Sequence, residues 1–251
     1  MILTDDNFAT IVKAVELGRR LYDNLVKYIR FQMGVLFGLV VTFLGAAIFN
    51  VVGGVAFVPL QTLWVNFTTQ VFQAIGLGYG EPAEGLMKRK PRNPERQILP
   101  SGLMLWLGCI GLVMGVTTIC VIAWADNHYD TSVARTMGMT SFAFANLLYS
   151  FCERDQLQSV FSLDVLRDRK FLYFSGASLL AIVLAPQLDL LNRILETVPL
   201  TLHQWLICLV TALAAVVASE IRKAFLRHRE EAPDAPAAAD TLQTAPVASA
   251  S

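Results

Sequence analysis

Four polar side chains recur at helical spacing inside a long apolar run. Asn66, Thr69, Gln70 and Gln73 fall at positions i, i+3, i+4 and i+7, so they share one face of any α-helix that forms there. Their amide and hydroxyl oxygens are the kind of ligand that a dehydrated hard cation prefers. The same groups could instead hydrogen-bond neighbouring helices and hold a bundle together. The spacing is compatible with both interpretations, which stay open at this point.

Other polar residues stand alone within apolar surroundings. Gln32, Asn146 and Tyr149 are the notable ones, and polar groups inside a bilayer are costly enough to be informative. Asn146 is a further candidate ion ligand, although a single asparagine in such a run more often hydrogen-bonds another helix. We therefore expect Asn146 to lie close to the polar face around Gln70 if it has an ion-binding role.

Carboxylates are missing from the apolar runs. None of the 20 acidic residues lies in the middle of a run, and Glu153, Asp189 and Glu220 lie at or beyond run ends. Divalent cations are usually neutralised by buried carboxylates, because amide oxygens alone compensate their charge poorly. The four cysteines form no CxxC or CPC pair and the three histidines lack ligand spacing. The sequence thus predicts neutral oxygen ligands and no metal cluster.

The composition defines the class of protein. Hydrophobic residues make up 55% of the 251 positions, charged residues only 16%, and the mean hydropathy is +0.51. The formal net charge is zero, which excludes a basic nucleic-acid-binding protein. Each apolar run approaches the ~20 residues that a membrane-spanning helix needs. The prediction is an all-α membrane protein with six transmembrane helices, whose partner is the lipid bilayer. The runs are Ile29–Val52, Val58–Tyr79, Ser101–Ala125, Val133–Phe151, Phe171–Gln187 and Leu200–Ser219.

Cationic residues predict the topology. All of the 20 Lys and Arg residues except Arg135 and Arg193 fall on one side of the six predicted spans. The positive-inside rule places that side in the cytoplasm. We therefore expect a multi-pass protein of the cell membrane with both termini cytoplasmic.

The chain divides into three predicted regions. Residues 1–28 form a cytoplasmic stalk helix, because apolar and charged residues alternate at helical spacing up to the first span without a Gly-Pro break. An amphipathic helix lying on the membrane surface is the alternative. Residues 29–229 form the six-helix transmembrane domain, and residues 230–251, rich in Ala and Pro, form a disordered cytoplasmic tail. Two glycine pairs, Gly34 with Gly38 and Gly111 with Gly115, have the spacing that suits close helix crossing.

Seven segments of the sequence carry a resemblance to a known family. They are Leu3–Val12, Ala14–Arg19, Tyr22–Asn24, Leu63–Gln70, Leu77–Pro82, Met87–Arg92 and Pro199–Trp205. In this order they resemble the P-type cation-transporting ATPases, in their calcium-pump-like branch. The resemblance extends from residue 1 to about residue 229. It begins with the junction between a phosphorylation domain and a stalk, continues through the family's sixth membrane helix and the loop after it, and reaches the start of the last helix.

The resemblance implies the membrane transport module of such a pump, its fifth to tenth membrane helices. The phosphorylation motif Asp-Lys-Thr-Gly and the nucleotide-binding domain are not in this sequence. By itself the chain is therefore expected to have no ATPase activity, no catalytic residue and no cofactor, since ATP and Mg²⁺ would bind the missing domains. A separate polypeptide could supply those domains. The alternative is a non-enzymatic membrane scaffold or regulator that associates with intact pumps.

The resemblance also implies ion-ligand positions. Those of the fifth helix are occupied here by Leu36 and Leu39, which have no oxygen. In the sixth helix, Asn66 and Thr69 match ligands of the family, whereas Gln70 stands where an aspartate is usual. The acidic position of the eighth helix aligns with Asn146. The transported substrate is thus expected to be an inorganic cation whose identity the lost carboxylates leave open.

Overall fold

Helices are the only regular elements in the part of the chain described by the computed structural model, which comprises residues 8–80, 87, 99–154 and 168–231. The predicted all-α class is confirmed for these residues. Most of the basic connection after Gly80 and of the predicted disordered tail (230–251) lies outside the described residues. The elements are α1 (Phe8–Ile48), a 3₁₀ turn (Val51–Gly54), α2 (Pro59–Val65), a π-helical segment (Asn66–Val71), α3 (Phe72–Gly78), α4 (Ser101–Asp126), α5 (Thr131–Arg154), α6 (Arg169–Leu184), α7 (Asp189–Leu195) and α8 (Leu202–Glu231).

Helix α1 is a single element of 41 residues. At 1.5 Å per residue it is about 60 Å long, about twice the thickness of the hydrocarbon core of a bilayer. Gly18 does not interrupt it, in agreement with the absence of a Gly-Pro break from this part of the sequence. A bilayer can therefore accommodate only part of α1 along its normal.

Three described helices, α1, α4 and α8, are long and apolar enough to cross a membrane. Helices α6 and α7 meet at an angle of 82° and together could make a fourth, broken span. Helix α5 is comparable in length, with 24 residues, but buried polar residues such as Thr136, Thr140 and Ser141 lower its hydropathy. The structure therefore supports a membrane protein with three or four clearly apolar spans, and the predicted number of six is not confirmed.

The bundle is organised around α1, α4 and α5. Helix α1 packs mainly on α4 and α3, α5 packs on α8 and α4, and α6 packs on α3. Phe31 and Val35 of α1, Met114 of α4, and Phe142 and Tyr149 of α5 are completely buried between these helices. Helices α1 and α5 of this core also contact each other and the π-helical segment.

The connection between α1 and α2 is a tight turn. Gly53 and Gly54 have φ values of 69° and 80°, a left-handed conformation that glycine adopts without steric cost. Pro59 then begins α2, where its missing N–H group is not needed for a helical hydrogen bond. The chain changes direction at this turn, and α3, further along the second apolar run, packs on α1.

Candidate ion-binding site

The predicted polar face lies on a helix that changes its winding. The π-helical segment Asn66–Val71 separates α2 from α3, and such segments occur frequently at functional sites. Within it, the Thr68 hydroxyl donates to the Trp64 carbonyl at 2.7 Å and the Thr69 hydroxyl to the Val65 carbonyl at 2.6 Å. Hydroxyl bonds of this kind bend a helix because they compete with its backbone bonds. The segment can therefore direct its polar side chains differently from a regular α-helix.

A chain of three carboxamides connects α1 with the π-helical segment. Gln32 Nε2 of α1 donates to Gln70 Oε1 at 2.9 Å, and Gln70 Nε2 donates in turn to Asn66 Oδ1 in a short hydrogen bond. Gln70 is buried, whereas Gln32 and Asn66 are half-buried. Two of the predicted residues are thus in direct contact, and Gln32 is joined to them.

Asn146 lies where the hypothesis of a shared site requires it. Its Nδ2 atom is 3.4 Å from the Thr69 hydroxyl oxygen, to which it donates, and both side chains are completely buried. Thr69 and Gln70 are neighbours in the chain, so α5 and α1 reach the π-helical segment at adjacent residues. Three elements therefore contribute amide and hydroxyl groups along this stretch of the π-helical segment.

Gln73 is the centre of a second polar group, which contains three serines. Its Oε1 atom accepts from Ser150 of α5 at 2.7 Å and from Ser175 of α6 at 3.2 Å, and its Nε2 atom donates to Ser178 of α6 at 3.0 Å. Ser178 also donates to the Thr68 carbonyl at 2.8 Å. Both polar atoms of the Gln73 amide are thus used, and the group connects α3, α5 and α6. No spacing or motif in the sequence singles out these serines.

The two positions of α1 at which the resemblance implied ion ligands are occupied by leucines in different surroundings. Leu36 is 47% exposed, whereas Leu39 packs against the hydrophobic core. Phe67, next to Asn66, is also exposed. The polar site therefore lies toward the side of the described bundle, and its contribution from α1 comes from Gln32.

A buried ion pair lies at the end of the bundle where α5 terminates. Arg30 Nη2 of α1 is 2.6 Å from Glu153 Oε2 of α5, and each side chain is only 2% exposed. In the sequence, Glu153 lies at the end of a predicted span and no pattern indicates its partner. The spacing does place Glu153 on the same face of α5 as Asn146 and Ser150, because the three residues fall at i, i+4 and i+7. The carboxylate of Glu153 is thus already neutralised by a guanidinium.

Apolar helices of membrane-spanning length that surround buried amide and hydroxyl groups are typical of a membrane transport protein. Residues 54–225 match the family model described as "Cation transporting ATPase, C-terminus". The chain belongs to the family of cation-transporting ATPases and corresponds to the C-terminal region of its members.

Individual relatives agree with this assignment. The chain is 32% identical over 212 residues to the "Calcium-transporting ATPase" of Bacillus subtilis, a match that covers 82% of the chain and 23% of the relative. It is 32% identical over 226 residues to the "Calcium-transporting ATPase lmo0841" of Listeria monocytogenes, covering 89% and 25%. It is 29% identical over 223 residues to the "Probable cation-transporting ATPase F" of Mycobacterium tuberculosis, covering 88% and 24%. The chain thus spans about a quarter of the length of these relatives.

Proposed function

We propose that this chain is the ion-translocating membrane module of an ATP-driven cation pump, and that Asn66, Thr69, Gln70, Gln73 and Asn146 line the ion path. The observation that carries the proposal is the meeting of α1, α5 and the π-helical segment at buried amide and hydroxyl groups. Such groups are costly inside a membrane and are kept where they have a function. Gln73 differs from the others, because its amide would have to release a serine before it could bind an ion.

The neutral oxygens of the site favour a cation whose charge does not need a carboxylate to compensate it. Its oxygens come from carboxamides and hydroxyls, and the nearby Glu153 is paired with Arg30. Neutral oxygens compensate a divalent charge less well than carboxylates do. The substrate is accordingly an inorganic cation, and calcium, which two of the relatives carry in their names, is one candidate among several.

In the proposed arrangement, six spans between residues 29 and 229 cross the cell membrane, and residues 1–28, which include the first half of α1, form a cytoplasmic stalk. The unbroken length of α1 and the one-sided distribution of the cations support this arrangement. The bent pair of α6 and α7 would be one span, and α2, the π-helical segment and α3 another. Both termini are then cytoplasmic.

Side chains of the proposed stalk hydrogen-bond to the chain at the end of α3. Asn24 Nδ2 donates to the Gly78 carbonyl at 3.1 Å and the Gly80 carbonyl at 3.0 Å, while Arg20 Nη2 donates to the Gly80 carbonyl at 3.1 Å. These bonds satisfy carbonyls at and beyond the end of α3, which have no partner within the helix. A displacement of the stalk would therefore be transmitted to α3 and to the ion path above it.

ATP hydrolysis is assigned to other parts of a complete pump. Phosphorylation, ATP and Mg²⁺ belong to domains that this chain does not contain, whether they come from the same protein or from a separate polypeptide. The chain alone is then expected to form no acid-stable phosphoenzyme. A scaffold or regulator that associates with intact pumps is the competing function.

Sided labelling tests the topology. With the four native cysteines replaced by alanine, single cysteines at Val55, Asp130 and Arg193 are expected to react with a membrane-impermeant maleimide in intact cells. A cysteine at the exposed Glu16 of α1 is the control and should react only after lysis. Protection of any of the first three positions in intact cells, together with labelling after lysis, would overturn the model.

Ion-stimulated phosphorylation tests the function. In a complete cation pump that carries this chain as its C-terminal part, Asn66→Ala and Gln70→Ala are expected to weaken the apparent ion affinity at least about tenfold, because an oxygen that contacts a charge is lost. Gln61→Ala is the matched control, since Gln61 is completely buried in α2 outside the ion path. If Gln70→Ala lowers stability while the ion dependence of phosphorylation stays unchanged, the polar face only holds the bundle together and a scaffold becomes the better explanation.

A further inference from the structure

Two carbonyl oxygens in the polar site lack a hydrogen-bond donor. Gln32 Oε1 and Asn146 Oδ1 are inaccessible to solvent and have no hydrogen-bond partner in the described part of the chain. Leaving a buried acceptor unsatisfied costs about 1–3 kcal/mol, so native proteins usually provide such atoms with a donor, a water molecule or an ion. These two oxygens belong to α1 and α5, and their side chains contact the adjacent residues Gln70 and Thr69 of the π-helical segment.

The neighbouring donors are directed to other acceptors, and none of them donates to Gln32 Oε1 or Asn146 Oδ1 in the described part of the chain. Gln32 Nε2 donates to Gln70, Gln70 Nε2 donates to Asn66, and the Thr69 hydroxyl donates to the Val65 carbonyl. Asn146 Nδ2 donates to Thr69. The two carbonyl oxygens therefore keep free lone pairs, and neutral oxygens with free lone pairs are ligands for a hard cation.

We propose that Gln32 of α1 is a ligand of the transported cation, through its Oε1 atom, and that it provides the contribution of α1 to the site. The proposal rests on the ion path proposed above. Gln32 precedes Leu36 by four residues and therefore lies on the same face of α1, about 6 Å further toward the stalk. The α1 ligand is thus displaced by about one helical turn from Leu36 and by about two turns from Leu39, neither of which has a side-chain oxygen.

Gln32 lies on the same unbroken helix as the proposed stalk. Arg30, two residues before Gln32, forms the buried ion pair with Glu153, and α1 continues without a break from the stalk to Gln32. A rotation of α1 that is driven from the stalk would therefore move Gln32 directly. It would also pull on Gln70, to which Gln32 donates.

The experiment uses the purified full chain in lipid nanodiscs and measures its thermal unfolding during titrations with CaCl₂, MnCl₂, NaCl and KCl. A cation that binds the folded state raises the unfolding temperature, and the concentration dependence yields an apparent affinity. Gln32→Met keeps the size of the side chain but removes its oxygen. Gln32→Glu replaces the amide oxygen with a carboxylate. Gln61→Met is the matched control, because the oxygen of this buried glutamine already accepts from the Val58 N–H group.

If Gln32 is a ligand, Gln32→Met weakens the apparent affinity for the stabilising cation at least about tenfold, whereas Gln61→Met leaves it unchanged. Gln32→Glu strengthens the affinity for Ca²⁺ or Mn²⁺ at least about tenfold, because ligand charge increases the affinity for divalent ions. The gain in affinity of Gln32→Glu cannot come from a loss of packing. It therefore tests whether Gln32 is a ligand even if Gln32→Met does not fold.

Two results would contradict the proposal in distinguishable ways. If a cation stabilises the wild type and both Gln32 variants with equal affinity, Gln32 is not a ligand and its oxygen holds only water, while the proposed ion path stands. If none of the four cations stabilises the wild-type chain, the ion site itself is contradicted, and the proposed function loses its support together with the role of Gln32.

Discussion

Glu153→Ala is expected to destabilise the bundle by about 3–5 kcal/mol, because it leaves the Arg30 guanidinium buried without its counter-charge. The two groups are 2.6 Å apart and almost completely inaccessible, so water cannot replace the lost carboxylate. The free energy of unfolding, measured by denaturant titration in detergent micelles, reports this loss. Glu16→Ala, at an exposed position of the same helix as Arg30, is the control and should stay within about 0.5 kcal/mol of the wild type.

A double variant separates the charge from the packing. Arg30→Met combined with Glu153→Leu removes both charges and keeps apolar volume, so it is expected to be more stable than Glu153→Ala. Equal losses for the single and the double variant would mean that shape, and not the unpaired charge, causes the destabilisation. A loss from Glu153→Ala no larger than that from Glu16→Ala would contradict the burial of the pair.

Gly111→Ala is expected to destabilise the contact between α1 and α4 by about 1–3 kcal/mol. A Cβ atom on Gly111 would lie 2.4 Å from Phe37 Cβ and 2.8 Å from the backbone nitrogen of Gly38, so α1 itself would have to move. Gly108, one turn earlier on α4, has nothing within 4 Å of the equivalent position. Gly108→Ala is therefore the matched control and should be neutral or slightly stabilising, since alanine favours a helix.

Thermal unfolding of the two glycine variants in the same detergent compares them directly. The expected order is a lower unfolding temperature for Gly111→Ala than for the wild type, with Gly108→Ala at or above the wild type. If the two variants are equally stable, α1 and α4 do not cross at Gly111. The predicted small-residue pair on α4 would then have no structural role at this crossing.

The polar face could be predicted because helical spacing depends only on local geometry. The positions of Asn66, Thr69 and Gln70 along one helix follow from the sequence, and so does the candidate role of Asn146 as an isolated polar residue. The π-helical segment could not be predicted, because it depends on hydroxyl bonds and on packing against α5 and α6. The serines around Gln73 were missed for the same reason, since small hydroxyl residues are common in apolar helices.

The ion pair between Arg30 and Glu153 could not be predicted from the sequence. Rules for charges in membrane segments place Arg30 and Glu153 near the ends of their spans, but they do not say which helices will be neighbours. The pairing depends on how α1 packs against α5, which is a tertiary property. Helix α5 is not among the clearly apolar spans for a related reason. The polar residues that α5 buries against the other helices make it less apolar than a span that faces lipid.

ATP-driven cation uptake into inside-out membrane vesicles tests the central claim most directly. The measurement compares a complete pump that carries this chain with its Gln70→Met variant and with the Gln61→Met control, at equal amounts of folded protein. The proposed ion path predicts uptake by the wild type and the control, and at least about tenfold weaker apparent ion affinity for Gln70→Met. Unchanged uptake by Gln70→Met, at every cation concentration, would contradict an ion path through this site.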